Sequence, residues 1–250
     1  MRERRPCSAG WVSSYGGWLG QPDFSVSFAQ IRRCLFFIPY RSPAMRNFLL
    51  LCLCLTVSAC SLLRNQPSNR YSSRERSMIM DGAADEPMRV FKITSYQDSL
   101  LLRQQSRPVI ANPDDPTLQR FVDRLYATVT DSNSLGVGIA APQVGILRNI
   151  IWVQRFDKEN FPFEVYLNPV IRQYSDLTQP CLEGCLSIPG RRDTTTDRAY
   201  AILLEYDRMD GSHEIEMVED FTAVIFQHEI DHLNGILYLD HLQQEIEQAR

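Results

Sequence analysis

Histidine is scarce in this sequence, with four copies in 250 residues, and two of the four fall within one short segment. Neither sign of charge is in large excess, because 26 basic and 30 acidic side chains leave a formal net charge of −4. No basic patch with interleaved aromatic residues occurs in residues 89–245, so direct nucleic-acid binding is not expected. No internal repeat is visible, which argues against a repeat architecture.

A hydrophobic run long enough to span a membrane as a helix is also lacking. The apolar stretch NFLLLCLCLTVSA, residues 47–59, falls short of the roughly 20 residues that such a helix needs, but it suits the core of a signal peptide. Cys60 follows it in the sequence VSAC, which resembles the lipobox of bacterial lipoproteins with Cys60 as the acylated residue. Met45 and Arg46 precede it like a start and a minimal charged region, so residues 1–44 are interpreted as a misassigned or disordered extension.

This interpretation predicts three further parts of the chain. Residues 45–59 form a signal-like segment, residues 60–88 a flexible linker, and residues 89–245 a folded domain. The linker prediction rests on a composition rich in Ser, Arg, Asn and Pro, which is typical of a tether. A membrane-anchored lipoprotein is expected if Met45 is the start, and a cytoplasmic protein otherwise. The alternative for residues 47–59 is a buried helix or strand of a longer protein.

The two clustered histidines lie in EDFTAVIFQHEIDHLNG, residues 219–235. Five residues recur there at helical spacing: Phe221, Val224, Ile225, His228 and His232. The pattern predicts a helix near 221–234, with Asp220 as its N-cap and Gly235 just past its end. Because positions four apart share one face of a helix, the two imidazoles point the same way and could bind one metal ion. The alternative is a surface helix that happens to carry two histidines.

Glu229 follows the first histidine and completes the H-E-x-x-H pattern, in which the glutamate serves as a base beside the metal. A catalytic site of this kind needs a third protein ligand and an open position for water. The remaining candidates are His213, His241, a carboxylate, Cys181 and Cys185, although His241 is more simply explained as an exposed terminal residue. A disulfide between Cys181 and Cys185 is not expected, because four extended residues span about 13 Å and bridged Cα atoms lie within about 7 Å.

Three motifs in order resemble the signatures of the peptide deformylase family. They are GVGIAAPQVG at 136–145, EGCLS at 183–187 and QHEIDHLNG at 227–235, and the resemblance extends over roughly residues 89 to 245. It implies an α+β fold with antiparallel sheets around a central metal-binding helix. Strands at RNIIWVQRF and AYAILLEYDR and helices near 117–130 and 221–234 agree with the sequence pattern. The implied activity is metal-dependent hydrolysis of the N-formyl group of N-formylmethionyl peptides or nascent chains, with release of formate.

The resemblance also implies a set of site residues. The three metal ligands are Cys185, His228 and His232, and Glu229 is the general acid and base. The oxyanion donors are the Gln143 side chain and the backbone N–H of Leu186. A Cys–His–His set suits Zn²⁺ on general grounds, but the family favours Fe²⁺, so one ion of Fe²⁺ is expected, with Zn²⁺ or Ni²⁺ as alternatives.

The expected substrate-binding residues surround these groups: Gly136, Val137, Gly138, Glu183, Arg192, Phe221, Val224 and Ile225. The two glycines would let a peptide backbone pass close to their strand. The three apolar residues of the helix would line a pocket for a methionine side chain, or pack in the core. Glu183 and Arg192 are expected to pair and brace the Cys185 loop.

One departure from the family pattern follows the second motif, where Asp197 stands at a position often occupied by proline, while Arg198 is kept. Substrate preference beyond formyl-methionine is therefore not predicted, and nothing indicates the oligomeric state.

A lipoprotein location conflicts with the family's work on new chains in the cytoplasm, unless this protein serves formylated peptides elsewhere. Two alternatives remain: a metallopeptidase that takes another third ligand, and an anchored formyl-peptide-binding protein without catalysis.

Overall fold

The structure is a computed structural model that describes residues 69–132 and 136–249. All of these residues belong to one compact unit, Ser58–Arg250. The predictions for residues 1–44, for the signal-like segment 45–59 and for lipidation at Cys60 lie outside the described residues. No helix within the described ranges has both the length and the apolar composition to cross a membrane.

Five α-helices, one short 3₁₀ turn and seven strands occur in the described residues. The helices are α1 (Ser73–Met80), α2 (Tyr96–Leu102), α3 (Pro116–Thr130), α4 (Asp220–Leu233) and α5 (Tyr238–Gln248), and the 3₁₀ turn is Ala141–Val144. The strands are β1 (Gly138–Ala140), β2 (Ile150–Gln154), β3 (Phe163–Tyr174), β4 (Thr178–Cys185), β5 (Ile188–Ala199), β6 (Ala201–Asp207) and β7 (His213–Glu219).

Two antiparallel sheets surround helix α4. The larger sheet has the strand order β1-β2-β3-β6-β7, and the smaller one is the hairpin β4–β5. Helix α4 contacts all seven strands, and its buried residues Ala223, Ile225, Phe226 and Ile230 form one hydrophobic cluster with the large sheet. A second cluster joins α3 to β1 and β2. The α+β fold with antiparallel sheets around a central helix is therefore confirmed.

The predicted helices and strands occur with small shifts at their ends. The helix expected near 117–130 is α3, which begins with Asp115 as an N-cap that accepts hydrogen bonds from the N–H groups of Thr117 and Leu118 at 2.9 and 3.2 Å. The N-cap expected for α4 was wrong by one residue. Glu219 occupies that position without a side-chain cap, and Asp220 is the first helical residue, with a φ of 57°.

The flexible linker predicted over residues 60–88 was wrong for its second part. Residues 73–80 form α1, which has a capping box: the Ser72 N–H donates to Glu75 at 2.7 Å, and the Glu75 N–H donates to the Ser72 hydroxyl at 3.2 Å. Ile79 of this helix is completely buried in the cluster around α3. Composition missed this helix because its docking depends on a few specific contacts, among them the buried side chain of Ile79, and not on a generally apolar sequence.

Candidate active site

Helix geometry and one hairpin bring three candidate metal ligands together. His228 and His232 lie on the same face of α4 with ring centroids 5.1 Å apart, and Cys185 ends strand β4 opposite them. The Cys185 Sγ atom lies 3.2 Å from Nε2 of His232. One ligand atom from each of the three residues lies within 4.8 Å of the other two, a spacing that a single metal ion can bridge.

The electrostatics of Cys185 favour the thiolate. Burial by itself raises the pKa of this thiol, but the charge of His232 and hydrogen bonds with both histidines hold the pKa well below its usual value. A thiolate is the form of cysteine that binds metals. Cys181 and Cys185 are both free thiols, and burial raises the pKa of Cys181, so Cys185 is the better ligand of the two.

A buried carboxylate orients the ring of His228. Nδ1 of His228 lies 2.7 Å from Oε2 of Glu183, and because a carboxylate can only accept, this nitrogen carries the proton. Nε2 is then the lone-pair nitrogen on the side of Cys185. Hydrogen bonds from His228 and Arg198 hold the pKa of Glu183 well below its usual value against the opposing effect of burial.

The expected pairing of Glu183 with Arg192 was wrong. Glu183 instead accepts hydrogen bonds from Arg198 at 2.8 and 3.0 Å and from the Thr195 hydroxyl. Across the hairpin Arg192 pairs with Gly184, and its side chain lies over that glycine. The two residues therefore point to opposite faces of the hairpin, and sequence proximity did not reveal this.

The other histidines lie outside the ligand cluster. His213 is exposed and contacts Asp207 at 2.7 Å. His241 contacts Asp231 at 2.9 Å and Asp197 at 2.8 Å, and its side chain is only 23% exposed. The description of His241 as an exposed terminal residue is therefore corrected: it joins a network with Asp231 and Arg198, whose guanidinium lies 2.7 Å from Asp231.

The departure at Asp197 also has a local explanation. Its carboxylate contacts His241, and the backbone N–H groups of Thr196 and Asp197 donate to Glu245 of α5 at 2.6 and 3.1 Å. This stretch of β5 is attached to the last helix, and Thr196 and Asp197 do not line the cavity beside the candidate ligands.

Glu229 lies buried beside the ligands. Burial raises the pKa of its carboxyl to about 7, and its Oε2 atom has no hydrogen-bond partner among the described residues. Its Oε1 atom would lie 2.5 Å from a Cβ atom at Gly138. Gly138 therefore gives room to the Glu229 side chain and to Ile225, a different use of this glycine from the peptide passage expected from the sequence.

Gln143 is held with its amide N–H₂ group towards the site. The Ala140 N–H donates to its Oε1 at 2.8 Å, which leaves Nε2 at 3.5 Å from the Cys185 sulfur and 3.3 Å from the Ser187 hydroxyl. Ser187 is completely buried and was not identified from the sequence, although it is the serine of the EGCLS motif. A side chain held in this way is a preorganised hydrogen-bond donor.

A cavity of about 800 Å³ opens beside this cluster. Its lining includes all the expected substrate-binding residues, namely Gly136, Val137, Gly138, Glu183, Arg192, Phe221, Val224 and Ile225, together with Gln143, Cys185, Leu186, His228 and Glu229. Phe221 is 39% exposed, whereas Val224 and Ile225 are almost fully buried and also pack in the protein interior. Lys92 and Arg191 line the cavity as well and were missed, because exposed cations give no distinctive pattern.

These residues fit a resident metal ion. Cys185 offers a thiol whose pKa is lowered, and two imidazoles offer nitrogens. Glu229, whose buried Oε2 has no hydrogen-bond partner among the described residues, lines the cavity beside them. Sulfur and nitrogen ligands suit a transition metal or zinc. The fold and the site therefore define a class, the metal-dependent hydrolases with one Cys–His–His centre and a neighbouring glutamate.

Comparisons with known proteins agree. The family model described as polypeptide deformylase matches residues 90–248. A peptide deformylase of Desulforudis audaxviator is 39% identical over 159 residues, covering 61% of this chain and 94% of the relative. A peptide deformylase of Fusobacterium nucleatum is 34% identical, covering 60% and 83%.

Solved structures give the same result. The class I type b peptide deformylase of Acinetobacter baumannii with bound Met-Ala-Ser has a TM-score of 0.56 and 33% identity, covering 63% of this chain and 99% of that one. The peptide deformylase of Thermotoga maritima has a TM-score of 0.55 and 30% identity, covering 62% and 97%. The chain belongs to the polypeptide deformylase family, hydrolytic enzymes whose known activity is metal-dependent deformylation of peptides.

Proposed function

We propose that this chain removes the N-formyl group from N-formylmethionyl peptides, including nascent chains, with Cys185, His228 and His232 holding one ion of Fe²⁺. The observation that carries the proposal is the convergence of these three ligand atoms beside a buried glutamate, next to a cavity of about 800 Å³. When bound, the ion supplies Lewis-acid chemistry that polarises the formyl carbonyl and makes water more acidic. Zn²⁺ and Ni²⁺ are the alternatives.

Glu229 is proposed as the general acid and base. Its carboxylate takes a proton from the attacking water as the new C–O bond forms at the formyl carbon. It then delivers that proton to the amine nitrogen as the C–N bond breaks, which releases formate and a free amino terminus. A pKa of about 7 suits both transfers at neutral pH.

Gln143 and Leu186 are proposed to stabilise the negative charge that develops on the formyl oxygen. The Nε2 group of Gln143 already faces Cys185, and Leu186 follows that cysteine in the turn between β4 and β5. Removing one donor of this kind typically lowers the rate by on the order of 10²–10³.

The cavity lining supports a methionine side chain at the amino end of the substrate. Phe221, Val224 and Ile225 of α4 offer an apolar wall, and Gly136, Val137 and Gly138 also line the cavity. Arg192 and Glu183 are polar members of the same lining. Of these, Glu183 also orients His228, so its role extends beyond contact with substrate.

The test is formate release from formyl-Met-Ala-Ser by the purified chain, prepared without oxygen and loaded with Fe²⁺, Zn²⁺ or Ni²⁺ in parallel. Glu229→Gln should abolish formate release while the protein still binds one ion. The matched control is Glu214→Gln, which changes an exposed glutamate and should leave the rate unchanged. A folded, metal-loaded wild type that releases no formate would contradict the enzymatic function.

We propose that the cellular location of the protein depends on whether translation starts at Met45. Translation from Met45 would place Cys60 after a signal-like segment and give a membrane-anchored lipoprotein, whereas a chain without export would act in the cytoplasm. Fractionation of cells that produce the wild type and Cys60→Ser separates the two. A move from the membrane to the soluble fraction in Cys60→Ser supports the anchor, and an identical distribution contradicts it.

A further inference from the structure

Residues 69–89 precede the part of the chain that matches the family model, residues 90–248, yet they are built into the same domain. Asn69 exchanges two hydrogen bonds of 2.9 Å with the backbone of Ile110. The Arg148 guanidinium donates to the Arg70 carbonyl at 2.5 Å and lies 5.2 Å from the centre of the Tyr71 ring. This segment is therefore attached at its first described residues as well as through α1.

A buried arginine joins α1 to the chain that follows it. Arg124 of α3 is 4% exposed, and its guanidinium donates to the carbonyls of Met78, Ile79 and Glu86 at 2.9, 3.1 and 3.0 Å. The Met88 N–H donates to the Thr128 hydroxyl of the same helix at 2.9 Å. Helix α3 thus holds both α1 and the start of the extended segment 88–93.

That extended segment bonds to the backbone of Gln143 and to that of Ser187, the residue after Leu186. The Phe91 N–H donates to the carbonyl of Gln143 at 2.7 Å, and the Ile93 N–H donates to the carbonyl of Ser187 at 3.0 Å. The first bond holds the 3₁₀ turn that carries Gln143, and the second holds the residue directly after Leu186. Two backbone bonds from one segment therefore set the relative position of the two donors.

The Met78 side chain of α1 lies beside Gly145, at the end of the turn that carries Gln143. Gly145 ends the turn of Gln143 with a φ of 83°, and a Cβ atom there would lie 2.5 Å from the Phe91 ring and 2.9 Å from the Met78 methyl. The side chains of Met78 and Phe91 therefore both pack against Gly145. A shorter side chain at position 78 would leave the Phe91 ring and the turn without this support.

We propose that α1, through Met78, is a positioning element for Gln143 and for the Leu186 turn, and that the active unit of this protein includes residues 69–89. The inference rests on the proposed function, because it assigns α1 a role through the proposed oxyanion donors. Met78 is not among the residues that line the cavity. It acts on the rate through the geometry of the Gln143 turn and of the segment that carries Phe91 and Ile93.

The test compares Met78→Ala with Met80→Ala in the full chain. Met80 is on the same helix but 44% exposed, so it is the matched control. Met78→Ala should lower kcat for formyl-Met-Ala-Ser by about tenfold, less than the ~10²–10³ expected for complete loss of a donor. KM and metal content should not change. Met80→Ala should behave like the wild type, and Met78→Leu, which keeps the apolar bulk, should restore kcat.

A double-mutant cycle distinguishes positioning from general support of the fold. In a Gln143→Ala background, Met78→Ala should cause a clearly smaller loss than in the wild type, because one of the two donors through which it acts is gone. Fully additive losses, or an unchanged kcat in Met78→Ala, would overturn the proposal. If Met78→Ala does not fold, Met78→Val is the milder variant for the same cycle.

Amide hydrogen exchange gives a readout that does not depend on activity. The Phe91 and Ile93 amides should exchange faster in Met78→Ala than in Met80→Ala, since their bonds to Gln143 and Ser187 lose support. Unchanged exchange at both amides would overturn the proposal. A wild type that releases no formate but shows this exchange pattern would contradict the proposed function while leaving the contact between α1 and the Gln143 turn established.

Discussion

Nδ1 of His228 lies 2.7 Å from Oε2 of Glu183, and the same carboxylate lies 2.8 Å from the Arg198 guanidinium. One buried acid thus orients a candidate metal ligand on α4 and is itself held by an arginine of β5. The Arg198 guanidinium also donates a hydrogen bond of 2.7 Å to Asp231, the residue directly before His232. The network connects the ligand helix to the hairpin that carries Cys185.

Glu183→Gln should weaken metal binding. The amide can still contact His228, but it no longer favours the proton on Nδ1 as a carboxylate does. Loss of such an outer partner typically lowers metal affinity by about 10–100-fold. Competition with a chelator measures the effect, and Glu214→Gln is the exposed control. Unchanged affinity in a folded Glu183→Gln protein would show that this contact does not tune the ligand.

Arg198→Ala should destabilise the fold strongly. It leaves Glu183, which is 3% exposed, and Asp231 without their buried cation. Removing one partner of a buried pair typically costs about 3–5 kcal/mol. Urea denaturation measures the change, with Arg192→Ala as the comparison, because Arg192 is exposed and has no ion pair among the described residues. Equal losses of unfolding free energy in Arg198→Ala and Arg192→Ala would show that the buried ion pairs of Arg198 do not stabilise the fold.

The ligand set predicts different results for a cysteine and a histidine variant. Cys185→Ala removes a sulfur 3.2 Å from His232 and should lower metal content well below one ion per chain. His241→Ala removes contacts with Asp197, Asp231 and Arg198 but none with the candidate ligand atoms, so it should keep one ion. Elemental analysis after dialysis distinguishes them. Loss of the metal from His241→Ala alone would identify that histidine as the third ligand.

Gly138→Ala should impair catalysis more than folding. The added Cβ atom would lie 2.5 Å from Glu229 Oε1 and 2.8 Å from Ile225, so the carboxylate must move. A displacement of about 1 Å at a reacting group can cost on the order of 10² in rate. Formate release should therefore fall while metal content stays at one ion. A normal rate would show that Glu229 does not need its present position.

The Arg89–Asp98 pair should make stability depend on acid pH. The hydrogen bonds from Arg89, at 2.8 and 2.9 Å, lower the pKa of Asp98, whereas an unfolded aspartate titrates near about 3.9. The pair therefore stabilises the fold above that value, and the stabilisation is lost as the pH falls through the lowered pKa of the folded state. Arg89→Met should be less stable than wild type at pH 7.

The measurement for this pair is the free energy of unfolding in urea at several pH values. The difference between the wild type and Arg89→Met should shrink as the pH falls below about 4. A difference that stays constant between neutral and acid pH would show that the ion pair does not contribute through Asp98.

Local patterns were sufficient to predict α4 and the shared face of His228 and His232. Helix periodicity depends only on neighbouring residues, so the apolar positions of this segment indicate both the helix and the direction of its histidines. The same holds for α3, which begins with a capping aspartate at 115 and has a strongly apolar face. Strands β2 and β6 were also predicted, because their residues are rich in β-branched and aromatic side chains.

The sequence did not reveal which distant residues contact one another. Glu183 meets Arg198 and not Arg192, because the hairpin register and its bulges decide which side chains share the buried face. Cys185 was chosen as the third ligand only through the family resemblance, since spacing alone left several candidates. Contacts between segments far apart in the chain depend on packing that no local pattern encodes.

Residues 69–88 are a second case in which contacts between distant segments could not be predicted from the sequence. Their composition is typical of a tether, yet Ile79 is buried and Arg124 binds the carbonyls of α1 from a helix more than forty residues away. Helical spacing placed the two histidines on one face because it is a local property of the chain, and the order of the three motifs indicated the chemistry through the family resemblance. Only the tertiary structure showed which side chains hold that chemistry in place, because burial and long-range hydrogen bonds exist only once the chain has folded.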